Sequence, residues 1–386
     1  MIPRPQALKA VETALEESPV CALLGPRQCG KTTLARQIAQ KGKAHFFDLE
    51  TAISRTRLED SPELALSELE GLVVIDEIQR LPGLLATLRP LADRPGHPAR
   101  FLILGSASPE LVKGASESLA GRVSFVDLGG FGLEEVGADG LPVLWQRGGF
   151  PRSFLAASDS ASERWRQNFI RTFLERDIPQ LGIRIPAETL RRFWMMVAHY
   201  HGQIWNGAEL ARSFGVSETT VRHYLDLLTG TFLLRQLPPW FENLGKRQYK
   251  APKVYVRDSG LLHSLLGARR RDELLGHPKL GASWEGFALE QVLHAAKTSE
   301  AFYWGTHAGA ELDLVLFRGG RRYGVEFKHA DAPAMTKSMH IALEDLKLEC
   351  AWFVYPGKES YRVHEKVRVC PLPELLEELA TRRLSL

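Results

Sequence analysis

Short apolar runs alternate with polar, helix-period stretches through the first 140 residues. Leu23-Leu24, Phe46-Phe47 and residues 72–75, 101–104 and 123–128 each read as a buried strand. An amphipathic or polar segment precedes each of them, the pattern of a parallel sheet with helices on both faces. From 141 to 266 the period changes. Helical patterns lengthen, strands become scarce, and Trp165, Phe169, Phe173, Phe193 and Trp194 supply an apolar face. From 267 to 386 a mixed pattern returns. It predicts a helix from about Ser283, strands near Phe302, Leu312 and Val325, a helix from about Ala334, and a strand over 352–355. Three parts follow: 1–140, 141–266 and 267–386. The first joint is expected in the glycine- and proline-containing stretch 140–151, the second between 266 and 281.

Composition narrows the class. With 386 residues, 44% hydrophobic and 25% charged, the chain is globular rather than disordered or fibrous. Lys and Arg total 49 against 46 Asp and Glu, so the net charge is only +3 and no global basic field points to nucleic acid. Cys21, Cys29, Cys350 and Cys370 are scattered, which argues against a disulfide framework or a zinc site. No apolar leader and no run near 18 apolar residues occurs, so a cytoplasmic protein without a membrane partner is expected.

The first chemical signal is Gly25-Pro26-Arg27-Gln28-Cys29-Gly30-Lys31-Thr32, which fits G-x-x-x-x-G-K-[ST] between a strand and a helix opening at Thr33. Backbone N–H groups of such a turn face phosphates, and the helix N-terminus adds positive potential. Lys31 is expected to reach the β- and γ-phosphates, and Thr32 to ligate Mg²⁺. A second strand ends in Asp76-Glu77, at the carboxyl edge where parallel sheets bind ligands. There Asp76 would hold the Mg²⁺ shell and Glu77 would orient or deprotonate the attacking water. The expected cofactors are therefore ATP and Mg²⁺. Ser106, ending another strand, could hydrogen-bond that water or the γ-phosphate. Arg122, after Gly121, could serve a neighbouring subunit as an arginine finger.

The middle segment carries Trp205 to Leu225 with Gly215 at a turn and Ser217 capping a second helix, a helix–turn–helix pattern. Thr219, Arg222 and His223 lie on or near its polar face. Residues 232–237 could add a β-hairpin wing. Residues 147–260 hold 17 Lys and Arg against 10 Asp and Glu, and Lys246, Arg247, Lys250, Lys253 and Arg257 cluster past the wing. Duplex or branched DNA is the expected partner. A protein-binding module with a solvated basic face is the alternative.

In the last part, Asp313 and Glu326 fall on strands joined by the turn at 318–321, on the face opposite Leu312, Leu314, Val325 and Phe327. With Glu285 from a helix they form a candidate oxygen-rich Mg²⁺ site, and Lys328 could orient a metal-activated water. An ordinary salt-bridged sheet surface is the other reading.

These motifs resemble AAA+ ATPases of the Leu-Leu-Gly-Pro-Arg-Gln-x-Gly-Lys-Thr-Thr type, joined to a PD-(D/E)XK restriction-endonuclease-like core. Together they are similar to bacterial and archaeal ATP-binding proteins. Asp76-Glu77-Ile78-Gln79, Leu119-Ala120-Gly121-Arg122, Gly148-Gly149-Phe150-Pro151 and Glu175-Arg176-Asp177-Ile178 carry the resemblance. Cys29 stands where valine is more usual. Arg152 and Arg176 are candidates for a second sensor. The resemblance implies an α/β fold: a P-loop AAA+ sheet, a helical winged-helix segment, and a nuclease-like α/β domain. It also implies a homo-oligomer, with a hexameric ring expected, and similarity to Holliday-junction branch-migration motors. Three functions follow: an ATP-driven DNA remodeler or helicase, an ATP-regulated Mg²⁺-dependent nuclease, and an ATP-dependent switch on a partner protein.

Overall fold

The computed structural model describes residues 2–381 except 97, 107, 108, 243, 244, 246 and 299. Two compact units emerge: residues 1–131 with 178–183 and 226–233, and residues 132–177 with 184–225 and 234–386.

The first unit begins with α1 (Pro5–Glu17), β1 (Val20–Gly25), α2 (Lys31–Ala39), β2 (Ala44–Asp48) and β3 (Gly71–Asp76). It continues with α3 (Leu84–Ala92), β4 (Ala99–Ser106) and β5 (Val123–Asp127). The five strands make one parallel sheet in the order β2-β3-β4-β1-β5. Strand alternation divides its core in two. Val20, Ala22, Leu24, Val73, Ile75, Phe101 and Ile103 join Leu84, Leu85 and Leu88 of α3. Cys21, Leu23, Val74, Leu102 and Leu104 join Val11 of α1 and Leu34 and Ile38 of α2 on the other face. Both faces are thus covered, as the continuous apolar strands require.

The second unit is α/β as well. Its helices include α4 (Asp159–Thr172), α5 (Ala187–His199) and α6 (Gly207–Phe214), and α7 (Glu218–Gly230) starts there. Phe150, Trp165, Phe169, Phe173 and Trp194 form a chain of ring contacts with centroids 4.8–6.2 Å apart, so the aromatic stripe is core. Three short antiparallel strands, β6 (Gln203–Ile204), β7 (Leu234–Leu237) and β8 (Lys253–Val256), pair in the order β6-β8-β7. Then come α8 (Ser259–Leu266), α9 (Leu280–Ala296), β9 (Ala301–Gly305), β10 (Glu311–Arg318) and β11 (Arg321–Phe327). After these come α10 (Lys337–Asp345), β12 (Cys350–Tyr355), β13 (Tyr361–His364), β14 (Val367–Pro371) and α11 (Leu372–Thr381). The larger sheet is mixed, in the order β13-β14-β12-β11-β10-β9.

One sequence expectation meets a different arrangement. Residues 232–237 do not fold back on themselves: Leu234–Leu237 pairs with Lys253–Val256 across a long connection. That connection is tied to β9, with the Trp240 N–H donating to the Tyr303 carbonyl at 2.6 Å. The stretch 266–281 lies within the second compact unit. The Trp145 indole N–H donates to Ser283 Oγ at 3.0 Å, and a His263 ring nitrogen lies 2.6 Å from the same hydroxyl, so buried polar contacts join residues on both sides. Gly148 also belongs to packed structure. Its φ is 76°, and a Cβ there would meet the Asp258 carboxylate at 2.2 Å. The four cysteines are buried and free. Among the described residues, no helix is long and apolar enough to cross a membrane.

Candidate functional site

The carboxyl edge of the parallel sheet gathers the first group of residues. Strand register sets Gly25 beside Ser106 and Asp48 beside Asp76. Past Gly25 the chain turns through Gln28 and Gly30, both with left-handed φ (62° and 105°), and enters α2 at Lys31. Gly25 is required by close approach rather than by φ. A Cβ there would stand 2.0 Å from the Leu128 carbonyl oxygen, on the segment whose N–H bonds Leu24.

Within the turn Pro26 and Cys29 are buried, while Gln28 and Thr33 are exposed. Arg27 and Arg80 both pair with Glu50, at 2.8 and 3.0 Å. The Lys31 ammonium is buried and donates to the carbonyls of Gly25 and Pro26, both at 2.9 Å. Carbonyl oxygens are replaceable partners for an ammonium, so the turn holds Lys31 folded inward without neutralising it. The Thr32 hydroxyl donates to Asp76 Oδ2 at 2.7 Å. Burial pushes the Asp76 carboxyl upward, opposed by the Thr32 hydrogen bond and reinforced by the neighbouring Glu77 charge. A hydroxyl and a carboxylate so placed are hard oxygen donors, suited to magnesium delivered with a phosphate.

Glu77 follows in a left-handed conformation, φ 59°, which a non-glycine residue adopts at a cost of order 1–3 kcal/mol. Its N–H donates to Asp76 Oδ1 at 3.0 Å, and its carboxylate is held by the Gln79 amide. The same amide donates to Ser106 Oγ at 2.9 Å. Gln79 therefore links Glu77 to Ser106, a role the sequence pattern did not reveal. Arg4 was missed too. Its guanidinium donates to the carbonyls of Cys29 (3.1 Å), Gly129 (3.1 Å) and Gly130 (2.9 Å), tying the turn to the segment after β5. An isolated arginine before a helix leaves no periodic signal.

Arg122 is not brought to this edge. It precedes β5, and its carbonyl accepts from Val20 at the amino end of β1. The five residues of β1 between there and Gly25 span about 16 Å at ~3.3 Å each. Its guanidinium grips Asp93 of the same chain with two bonds, 2.6 and 2.8 Å. That bond to Asp93 raises the arginine's affinity for its proton.

In the second unit, α6 ends at Gly215 with φ 72°, and Ser217 Oγ accepts from the Thr220 N–H at the start of α7. Thr219, Arg222 and His223 are exposed, as are Arg247 and Lys250; Lys246 lies outside the described residues. The basic cluster inferred past the wing loses two members. Lys253 is buried, and Arg257 pairs with Glu290 at 3.1 Å, a carboxylate that Arg235 also holds. Arg152 and Arg176 are exposed residues of this unit.

The predicted carboxylates do converge. Asp313 on β10 and Glu326 on β11 sit across from one another, one step along the ladder from the Leu314–Val325 pair, and Glu285 comes from α9. What the sequence did not reveal is their centre. The Lys253 ammonium from β8 lies 2.9 Å from Asp313 Oδ1 and 3.2 Å from Glu285 Oε1, and it also pairs with Glu311. Tyr255 donates to Glu285 Oε1 at 2.7 Å, and the Phe327 N–H to Asp313 Oδ2 at 3.0 Å. Lys328 pairs with Glu326 at 2.7 Å. Burial, and then the charge of Asp313, push Glu285 up to about 7 and Glu326 up to about 8. For Lys253, burial opposes the charge, but Asp313 and Glu285 outweigh it and hold the amine protonated. Among the described residues, no three His, Cys, Asp or Glu side chains are grouped to hold a metal ion. The sequence signal for Lys253 was its place in Lys-Val-Tyr-Val, where the alternation sets it on the face of Tyr255.

Comparison with known proteins fits these halves unequally. Uncharacterized proteins of Mycobacterium tuberculosis and Mycobacterium bovis are each 52% identical to the chain over 376 residues, covering 97% of it and 85% of their own length. The chain belongs to their family. A family model described as an AAA domain matches residues 17–137, so the five-stranded unit carries an AAA-type ATPase domain with its P-loop. Two models described as domains of unknown function, DUF8612 and DUF4143, match 139–272 and 280–375. Among solved structures, a Walker-type ATPase of Pyrococcus abyssi is 15% identical, covering 69% of this chain and 96% of its own, with a TM-score of 0.47. The Thermotoga maritima RuvB Holliday junction branch migration motor is 20% identical, covering 61% and 90%, with a TM-score of 0.32.

Proposed function

We propose that the protein hydrolyses ATP at the Gly25–Thr32 turn and uses the cycle to bind and remodel DNA. The observation that carries the ATPase reading is the Thr32–Asp76 pair at 2.7 Å, with Glu77, Gln79 and Ser106 linked beside it. Lys31 exchanges its carbonyl partners for phosphate oxygens, and the N–H groups opening α2 face the same charge. Thr32 and Asp76 would hold a magnesium ion, which would withdraw charge from the phosphate oxygens. Glu77, next to Asp76 and held by Gln79, takes the proton of a water that Ser106 helps to position. Gln79 fixes Glu77 through its amide and is a positioning residue.

Arg122 faces the amino edge of the sheet and so belongs to a neighbour's site in this reading. The active form is then a homo-oligomer, a hexameric ring by resemblance, in which Asp93 releases the guanidinium. DNA remodelling rests on the exposed Thr219, Arg222 and His223 of α7, with Arg247 and Lys250 as phosphate contacts. A protein-switch reading gains from the burial of Lys253 and the pairing of Arg257, which thin the basic face. ATP hydrolysis measured with and without linear, forked and four-way DNA separates the two. Stimulation that weakens steeply with salt, and weakens further in Arg247→Ala/Lys250→Ala, supports DNA. A rate indifferent to every DNA favours the switch.

A further inference from the structure

We infer that Lys253 is the resident cation of the Glu285–Asp313–Glu326 cluster, so that this site is closed to divalent metals and serves as a metal-free clasp. The inference does not depend on the ATPase reading.

The ammonium stands at the centre of the carboxylates, 2.9 Å from Asp313 and 3.2 Å from Glu285, with Glu311 as a third partner. Other contacts fill the cluster as well. Asp313 Oδ2 accepts from the Phe327 N–H, Glu285 Oε1 also accepts from Tyr255, and Glu326 Oε1 is taken by Lys328. A dipositive ion entering beside a fixed ammonium would meet repulsion where it needs lone pairs, so the donor set does not fit the magnesium that the nuclease-like resemblance implies.

The lysine cannot readily withdraw. Its side chain is 3% exposed. Its backbone lies in the central strand of its sheet, paired with Ile204 on one side and Leu237 on the other. The Tyr303 ring, with its centroid 5.8 Å from the ammonium, adds a further cation contact. One amine thereby joins three elements: β8, α9 and β10. The cluster fastens the small sheet to the large one with no metal.

Manganese binding to the full-length, nucleotide-free protein tests this, read from the electron paramagnetic resonance signal of free Mn²⁺. Wild type and Asp313→Asn should bind identically, because the cluster contributes no site. Lys253→Met should gain one Mn²⁺ per chain, at least tenfold tighter than any wild-type site, and lose it in Lys253→Met/Asp313→Asn. Wild-type binding that Asp313→Asn removes would overturn the inference, as would a folded Lys253→Met that binds no additional ion. Should Lys253→Met fail to fold, the wild-type and Asp313→Asn pair still decides.

Discussion

Two clusters of hard oxygens lie in this chain, one in each unit, and they differ in what neutralises them. At the edge of the parallel sheet, Asp76 accepts from a threonine hydroxyl and a main-chain N–H, and the nearby lysine bonds main-chain carbonyls. In the mixed-sheet unit, Asp313 and Glu285 surround an ammonium supplied by the chain itself. Similar residue types thus serve opposite ends. The first arrangement leaves charge to be matched by a ligand. The second has matched it already, at the cost of burying several ionised groups. The presence of carboxylates at suitable spacing does not distinguish a site from a strut; the origin of the countercharge does.

The largest effect expected is at the first cluster. Lys31→Ala should abolish nucleotide binding, seen as loss of a fluorescent ATP analogue's signal, while the fold measured by circular dichroism stays unchanged. Retained micromolar binding would place the nucleotide elsewhere. Next comes the second cluster. Lys253→Met strands Asp313 and Glu285 without their cation, and should destabilise the protein by about 3–5 kcal/mol in denaturant unfolding. Adding Asp313→Asn should restore part of that loss. Equal stability of Lys253→Met and wild type would mean that the ammonium fastens nothing.

The smallest effect sharpens the contrast through pH. Burial and Asp313 raise the Glu326 carboxyl to about 8, above its value in the unfolded chain. The folded state therefore holds the proton more tightly. Stability from this group is complete below the unfolded value near 4.5 and is lost as pH rises through about 8. Wild type should lose stability relative to Glu326→Gln across that interval, with the difference flat above it. A difference that instead grew as pH fell would reverse the assignment.

The site in the first unit was legible because its parts are local. Gly25 to Thr32 are consecutive, and Asp76-Glu77 end an apolar run that could only be a buried strand. Even there, the reason for Gly25 was not visible, since the Leu128 carbonyl that excludes a side chain lies over a hundred residues away. The same limit explains the second unit. That Asp313 and Glu326 are neighbours is legible because a short turn joins their strands. Lys253 reads as a surface cation in the sequence because its burial follows from pairing with β6 and β7, and from partners 32 and 60 residues on. Residues 232–237 have a hairpin-like composition, but the strand that completes them begins at Lys253.

Steady-state phosphate release at saturating MgATP, compared between wild type and Glu77→Gln, tests most directly whether the first cluster performs chemistry. The wild type should turn over, and Glu77→Gln should bind ATP undiminished while its rate falls by roughly 10²–10⁴. A Glu77→Gln variant releasing phosphate at the wild-type rate would contradict the assignment of this site.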